Sequence, residues 1–273
     1  MKALFDPAIL TAVQVCIPFR LLKEKYLPLV LEKRINPEIG IDGNVMDTHS
    51  RKAFSEMASL LRHEGLSITL HGPFYDLAPG AMDKKILEAT RERLRQAFDL
   101  IPLFEPAAIV CHTGYDSKRY QDDKDLWLET AMATWAPLLG DLQGTKTTLM
   151  LENVYEETPV MLLRLIKGLN SNKVGFCFDA GHMNAFSETN LRGWLEHLGP
   201  FVKELHIHDN HGTRDDHLAI GAGNIDFDTL FRYVEKNRLK PIMTLEAHKE
   251  KWIWQSLEAL SRSGPFCRIV TSL

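Results

Sequence analysis

The sequence predicts a single (β/α)8 barrel over residues 1–273. Short strand-like runs alternate with helical runs in eight successive pairs, and no long linker interrupts them. Alternation of this kind indicates parallel strands joined by helical crossovers, and such a barrel typically needs about 250 residues. An open doubly wound sheet is the competing arrangement, but it usually carries a glycine-rich phosphate loop after its first strand. Here the first run leads into CIPFRLL, which contains no glycine.

The strand candidates are short apolar runs bounded by polar or turn residues. In the fifth run, the two-residue period places Glu152 on the same face as Met150, while the flanking leucines face the helices. In the eighth run, Glu246 shares its face with Thr244. In chain order, the candidates are Ala12–Pro18, Glu38–Ile41, Leu66–His71, Ala107–His112, Thr147–Glu152, Val174–Asp179, Val202–Asp209 and Ile242–Glu246.

The helix candidates follow these strands and show apolar residues at helical spacing. The second ends at a glycine stop, His63-Glu64-Gly65, and Thr158 is the expected N-cap of the fifth. The third carries charges on one face and apolar residues on the other. In order, the candidates are Leu21–Ile35, Thr48–Arg62, Lys84–Phe104, Asp125–Leu142, Pro159–Leu169, Asn190–Leu198, Phe227–Lys236 and Lys251–Ser261.

Composition narrows the class of protein. A net charge of −4 disfavours a general nucleic-acid binder, which usually carries a basic surface. No apolar run approaches the length of a membrane span, and the start MKALFDPAIL lacks the features of a signal peptide. The four cysteines are isolated, which predicts inert thiols in a reducing cytosol: Cys16, Cys111, Cys177 and Cys267. We therefore expect a cytoplasmic protein without a membrane partner.

Nine potential metal ligands lie at or just past the ends of the strand-like runs. In a (β/α)8 barrel these ends meet at one face, where active sites are built. Buried carboxylates without compensating charge would cost several kcal/mol each, and a metal removes that cost. The set contains five histidines and four acids, which are ligands of zinc, manganese and related ions: His71, His112, Glu152, Asp179, His182, His206, Asp215, His217 and Glu246.

Other residues near these ligands are candidates for supporting or lining the site. Phe74 and Tyr75 follow the third strand and are expected to line a pocket, together with His208, which lies two residues beyond His206. In the segment DAGH, Gly181 is expected to let the chain bend so that Asp179 and His182 both face inward.

The motifs together resemble the xylose isomerase-like TIM-barrel superfamily. The segments that carry the resemblance lie between residues 66 and 248: LHGPFYDLAPG, VCHTG, LMLENV, FDAGH, LHIHDNHG, DDHLAIGAGNIDF and TLEAH. This superfamily contains sugar (phosphate) isomerases and epimerases as well as the endonuclease IV branch, also called AP endonuclease family 2. The resemblance implies a divalent-metal enzyme.

The ketose epimerase branch implies one ion held by four residues, here Glu152, Asp179, His206 and Glu246. The two glutamates would act as catalytic acid and base, with proton transfer through a metal-stabilised enediolate. In several epimerases an arginine occupies the position of His217, so this chain departs from the branch there.

The endonuclease IV branch implies three zinc ions held by all nine residues. Glu152 would bridge two ions, and His182, Asp215 and His217 would hold the third. This gives the alternative of a multinuclear zinc phosphodiester hydrolase, acting for example on a small phosphodiester such as a cobamide nucleotide loop. The surrounding segments LENVYE and FDAGHMNAFS differ from those of that branch.

From the sequence, the isomerase or epimerase is the favoured function and the hydrolase the alternative. A metal-free binding module is disfavoured because its buried acids would lack compensation. The expected cofactor is one to three ions of Zn, Mn or Co, since His and carboxylate sets accept several metals. The expected substrate is a small sugar or sugar phosphate rather than nucleic acid. A homo-oligomer is compatible with the sequence.

Overall fold

Eight parallel strands form a closed barrel in the computed structural model, which describes residues 7–271. Each strand pairs with the next in sequence, and β1 closes the barrel against β8. The predicted (β/α)8 fold is therefore confirmed. The strands are β1 Gln14–Pro18, β2 Asn36–Gly40, β3 Thr69–His71, β4 Ala108–His112, β5 Thr148–Glu152, β6 Val174–Asp179, β7 Val202–Ile207 and β8 Ile242–Leu245.

Helices surround the barrel and fill the connections between strands. A π-helical turn, Leu22–Tyr26, and a 3-10 turn, Gly199–Phe201, interrupt the α-helices. Within residues 7–271 no helix is long and apolar enough to cross a membrane. The α-helices are α1 Pro7–Ala12, α2 Phe19–Leu21, α3 Leu27–Lys33, α4 Gly43–Thr48, α5 Arg51–His63, α6 Lys84–Phe98, α7 Ile101–Phe104, α8 Lys124–Asp141, α9 Val160–Leu169, α10 Ala180–Phe186, α11 Leu191–Leu198, α12 Phe227–Lys236, α13 Glu250–Arg262 and α14 Gly264–Thr271.

Two helix predictions were wrong in detail. The segment Lys84–Phe104 is not one helix, because α6 ends at Phe98 and the short α7 starts separately with a proline in its first turn. Proline lacks a backbone N–H and so cannot continue the hydrogen-bond ladder of a preceding helix. Thr158 is not the N-cap of α9: Pro159 occupies that position, and no side chain caps the helix.

Side chains sort to the two faces of the barrel wall as the two-residue period predicts. Met150 packs with Ala108, Val110 and Cys177 in a small apolar cluster inside the barrel. The leucines beside Met150 belong instead to the large core between strands and helices. Trp127, Trp135 and Trp194 are fully buried in that outer core. The strand side chains that face the inside of the barrel therefore lie on the same face as the candidate metal ligands at the strand ends.

A buried carboxyl joins the loops that follow β4 and β5. Glu156 is 2% exposed and accepts hydrogen bonds from the Thr113 hydroxyl and from the Val154 backbone N–H, the latter at 2.7 Å. Burial raises the pKa of this carboxyl to about 7, and the hydrogen bonds from Thr113 and Val154 only partly offset that effect. The two loops are thus joined by a group that favours its neutral form in the folded protein.

This raised pKa predicts a pH-dependent loss of stability. The ordinary pKa of the Glu156 carboxyl is 4.5. The contribution of this carboxyl to stability is therefore fully present below about pH 4.5, and it is lost as the pH rises through about 7. Glu156→Gln stays neutral and keeps an acceptor oxygen. Its free energy of unfolding in urea, relative to wild type, should rise between pH 5 and pH 8, by at most about 3 kcal/mol. A pH-independent difference between the two proteins would contradict this assignment.

Candidate metal centre

All nine predicted ligands converge at the carboxyl-terminal end of the barrel. Five of them are supplied by the ends of successive strands, β3 to β7. The other four follow β6, β7 and β8 in the connecting segments. Because each strand end brings one inward-facing polar side chain, the closed barrel turns a scattered sequence set into one cluster.

Three candidate ligand groups together contain all nine predicted ligands, and other groups, such as His71, His206 and Glu246, overlap with them. Glu152 belongs to two of the three, and His182 Nδ1 lies 3.1 Å from Glu152 Oε1, which brings the third group against the others. His208 joins the third group, where the sequence did not predict a ligand. The ligand atoms within each group lie within 4.8 Å of one another: His71, His112 and Glu152; Glu152, Asp179, His206 and Glu246; His182, His208, Asp215 and His217.

Backbone hydrogen bonds fix how three of the histidines face the carboxylates. The Nδ1 atoms of His71, His182 and His217 lie 2.6–3.0 Å from backbone carbonyl oxygens, of Gly72, Asn153 and Glu246 respectively. A carbonyl can only accept, so each Nδ1 donates. The Nε2 atoms lie 2.8–3.3 Å from carboxylate oxygens of Glu152 or Asp215. A protonated ring would donate from Nε2 to the carboxylate, whereas a neutral ring would present a lone pair there and fit a cation between the two.

Buried polar atoms without hydrogen-bond partners also fit bound metal. A buried donor or acceptor left unpaired costs free energy, so a concentration of such atoms indicates a missing partner. Among the described residues, seven of these atoms lie at the cluster, where they face one another at 3.2–3.7 Å without forming a hydrogen bond: Glu38 Oε1, Glu152 Oε1, His206 Nδ1, His206 Nε2, His208 Nδ1, Asp215 Oδ1 and Glu246 Oε2. The side chains present therefore suit divalent cations, and His with carboxylate is the donor set of Zn, Mn and Co sites.

Without cations, protons on the histidines would balance the carboxylates. Burial opposes protonation of His71, but the adjacent Glu152 carboxylate outweighs it and raises the His71 pKa to about 9. The pKa of His217 is raised to about 9 in the same way, with Asp215 as the main partner. Burial opposes ionisation of Asp215, yet His182 and His217 hold its pKa far below the ordinary value. Cation binding would therefore displace protons from these rings.

Two residues beside the ligands hold them in place. Asn153 clamps the end of β6 through two hydrogen bonds of 2.9 Å, donating to the Asp179 carbonyl and accepting from the Asp179 N–H. Asp209 accepts hydrogen bonds from the backbone N–H groups of Gly221, Gly223 and Ile225. It thereby ties the glycine-containing segment after His217 to the end of β7.

Three histidine rings form a stack at the third group. His217 lies between His208 and His248, with ring centroids 3.8 Å and 4.0 Å away and planes nearly parallel. The backbone of His217 has φ +47°, a left-handed conformation that costs free energy for a residue with a Cβ and is concentrated at functional sites. His208 is fully buried beside the ligands, and its predicted place in a substrate pocket stays a prediction.

The two predicted pocket aromatics lie at the mouth of the site. Phe74 stacks on His112 with ring centroids 4.5 Å apart, and Tyr75, 73% exposed, lies against Phe74. Both line the cavity next to the cluster. Their contact with a substrate stays a prediction.

Sequence reasoning missed a layer of polar residues beneath the ligands. Glu38 of β2 and Glu204 of β7 are fully buried inside the barrel, and Glu38 Oε1 lies 3.2 Å from His206 Nε2. Cys16 of β1 groups with Glu38 and Glu246. For Glu204 the available signal was its position two residues before His206 on the same face of β7, whereas β1 and β2 supply none of the nine ligands. Glu38 places negative charge behind the His206 ring, a common arrangement for a metal-ligating histidine.

Gly181 is required because a larger side chain would not fit at this position, and not because the backbone needs a conformation that only glycine tolerates. It lies in α10 and has no positive φ, so the predicted role in a bend was wrong. A Cβ at this position would overlap the His208 ring. The His208 ring in turn stacks on His217 and contacts the Asp179 carboxylate at 3.0 Å. The glycine thus leaves room for a ring that the third ligand group depends on.

Gly181→Ala should displace His208 and weaken metal binding at the third group. Overpacking of this kind typically costs about 1–3 kcal/mol, so the melting temperature should fall as well. Bound metal is measured by plasma mass spectrometry after gel filtration, and stability by thermal unfolding. Gly140→Ala is the matched control, because that glycine lies in α8 with nothing near its Cβ position. Equal metal content in both variants would contradict the assignment.

Comparison with solved structures shows the same fold. A D-tagatose 3-epimerase-like protein aligns with TM-score 0.79 and 23% identity over 96% of this chain and 98% of that one. A Thermus thermophilus protein, TTHB071, from a crystal soaked with ZnCl2, aligns with TM-score 0.76 and 23% identity over 90% and 97%. D-psicose 3-epimerase of Clostridium cellulolyticum aligns with TM-score 0.73 and 14% identity over 95% and 99%.

Sequence relatives are uncharacterized proteins. Protein MJ1311 of Methanocaldococcus jannaschii is 28% identical over 188 residues, which is 66% of this chain but only 64% of that relative's length. Protein MJ1614 of the same organism is 26% identical over 78% of this chain and 82% of its own length. A family model described as the xylose isomerase-like TIM barrel matches residues 38–263. With the closed barrel and the ligands at its strand ends, this match means that the chain belongs to the xylose isomerase-like TIM-barrel family.

Proposed function

We propose that the protein is a multinuclear, divalent-metal-dependent hydrolase of phosphate esters. The observation that carries the proposal is that ten side chains at one end of the barrel form three adjacent ligand groups, two of which share Glu152. A one-metal enzyme of this fold would use only the group of Glu152, Asp179, His206 and Glu246. The remaining histidines and Asp215 would then be buried together without a cation.

Each residue has a distinct part in this proposal. Glu152 would be shared between the first two groups, while the third group would hold the outermost ion through Asp215 and its histidines. Clustered divalent ions supply positive charge for the attacking and leaving oxygens of phosphoryl transfer. Asp215 and Glu246 have the most exposed ligand carboxylates, at 21% and 13%, and so they face the position of the substrate. We assign one of them to accept the proton of the attacking water.

The surroundings favour a small ester over long nucleic acid. Within residues 7–271 the cavity beside the cluster is lined by no lysine or arginine, and the chain carries a net charge of −4. Phosphodiester backbones are normally bound by several cationic side chains. The negative charge of one phosphate would instead be balanced at the metal groups.

A sugar epimerase is the second candidate, favoured by the geometry of the second group. Glu152 and Glu246 each have a carboxylate oxygen 3.3 Å from His206 Nδ1, so both glutamates face one potential ion. Two glutamates in this arrangement suit proton removal and return on a ketose. Under this reading the other histidines would contact substrate rather than metal.

The number of metal ions bound per chain distinguishes the hydrolase from the epimerase. The protein loaded with Zn²⁺ or Mn²⁺ should bind about three ions per chain by plasma mass spectrometry, as clustered sites of this kind require. It should hydrolyse bis(p-nitrophenyl) phosphate. His217→Ala should release one ion and strongly reduce hydrolysis, because it removes a ligand of the third group.

The control is His211→Ala, since His211 is exposed in the same segment and belongs to none of the three groups. It should keep the full metal content and the activity. One ion per chain that persists in His217→Ala, with epimerisation of a ketose and no ester hydrolysis, would overturn the hydrolase and establish the second candidate.

A further inference from the structure

A cavity of about 430 Å³ opens directly beside the metal groups. It lies between the ends of β1 and β2, the helical segment after β1, and α13. Glu246 and His71 line its inner end, next to the first two ligand groups. Leu21 and Tyr75, which are both exposed, lie at its outer end. The cavity therefore connects the candidate metal centre with solvent.

The walls of this cavity are mostly apolar. Aliphatic and aromatic side chains from three elements face it, for example Ile17 of β1, Leu29 of α3 and Trp254 of α13. Among the described residues no lysine or arginine lines it; its acids are Asp42, Glu246 and Glu250, and its histidines are His71 and His248. The Asp42 carboxylate is already engaged, because it accepts a hydrogen bond from the Val45 N–H at 2.7 Å as the cap of α4.

This lining selects against charged and polyhydroxylated occupants. An anion would meet three carboxyl groups and neither a lysine nor an arginine among the described residues. A sugar would bury hydroxyl groups against side chains that offer few hydrogen bonds, which costs free energy for each unpaired group. An uncharged apolar group would instead gain by removing its surface and that of the walls from water.

An irregular helix shapes the cavity. The segment after β1 passes from α2 into the π-helical turn Leu22–Tyr26 and then into α3. The wider π turn is rare and is found frequently at functional sites. Leu21 and Tyr26, at its two ends, both line the cavity.

We infer that this cavity binds an uncharged, apolar part of the substrate, an aromatic or aliphatic group attached to the phosphate that the metal groups hold. The phosphate part of this inference rests on the proposed function. The preference of the cavity for an apolar group does not. An apolar cavity of about 150 Å³ accommodates one benzene ring, so this one takes roughly two or three rings. The substrate class is thus a phosphate ester with a bulky apolar substituent.

Binding of a neutral probe tests the cavity without any turnover. Naphthalene-2-methanol is titrated into the full-length, Zn²⁺-loaded protein by calorimetry, with xylitol as the polyhydroxylated comparison. The naphthalene probe should bind and xylitol should not. Leu29→Lys should weaken probe binding about tenfold or more, by placing a charge on the wall. Leu21→Lys, at the exposed end, provides a second variant with the same expected direction.

The matched control is Leu27→Lys. Leu27 is half-buried on α3 like Leu29, but it does not line the cavity. It should leave the affinity for the probe unchanged. Tighter binding of xylitol, no binding of naphthalene-2-methanol, or equal affinity in all three lysine variants would overturn the inference. Because none of these results depends on ester hydrolysis, they are separate from a failure of the hydrolase proposal.

Discussion

The fully buried carboxylate of Glu152 is the constraint on which the site depends. Four histidine rings, His71, His112, His182 and His206, approach it within 3.1–3.3 Å. A carboxylate this deep in the barrel would cost several kcal/mol without compensating positive charge. The fold must therefore supply either protonated histidines or bound cations at its centre.

The barrel fixes this arrangement before any ion binds. Backbone carbonyls orient three rings, Asn153 clamps the strand end that carries Asp179, and Asp209 holds the segment that follows His217. The left-handed backbone of His217 is a local cost that the surrounding hydrogen bonds and ring stack offset. Ligands held this way lose little conformational entropy when metal binds, which is how a preorganised site gains affinity.

The strands and the ligand positions at their ends could be predicted from the sequence, because both follow from the two-residue period of side chains along a strand. Apolar runs with a two-residue period gave the strands, and closure of the barrel brings any polar residue at their ends to one face. Glu38, Glu204 and the apolar cavity were not predicted, because they arise from lateral packing of β2, β7 and the π-helical turn. The role of Gly181 was misinterpreted as a bend for a similar reason, since the ring that would meet its Cβ comes from His208, just after β7.

The number of ions and the charge of the substrate are linked in this site. The four ligand carboxylates, Glu152, Asp179, Asp215 and Glu246, are neutralised by two divalent ions. A single ion would leave the centre negative, which suits an uncharged ketose and repels phosphate. A third ion would make the centre positive and attract phosphate, although no described lysine or arginine lines the adjacent cavity. In the proposed hydrolase Asp215 and His217 would hold that third ion, so these two residues would decide between the two chemistries, while Glu152 would serve both.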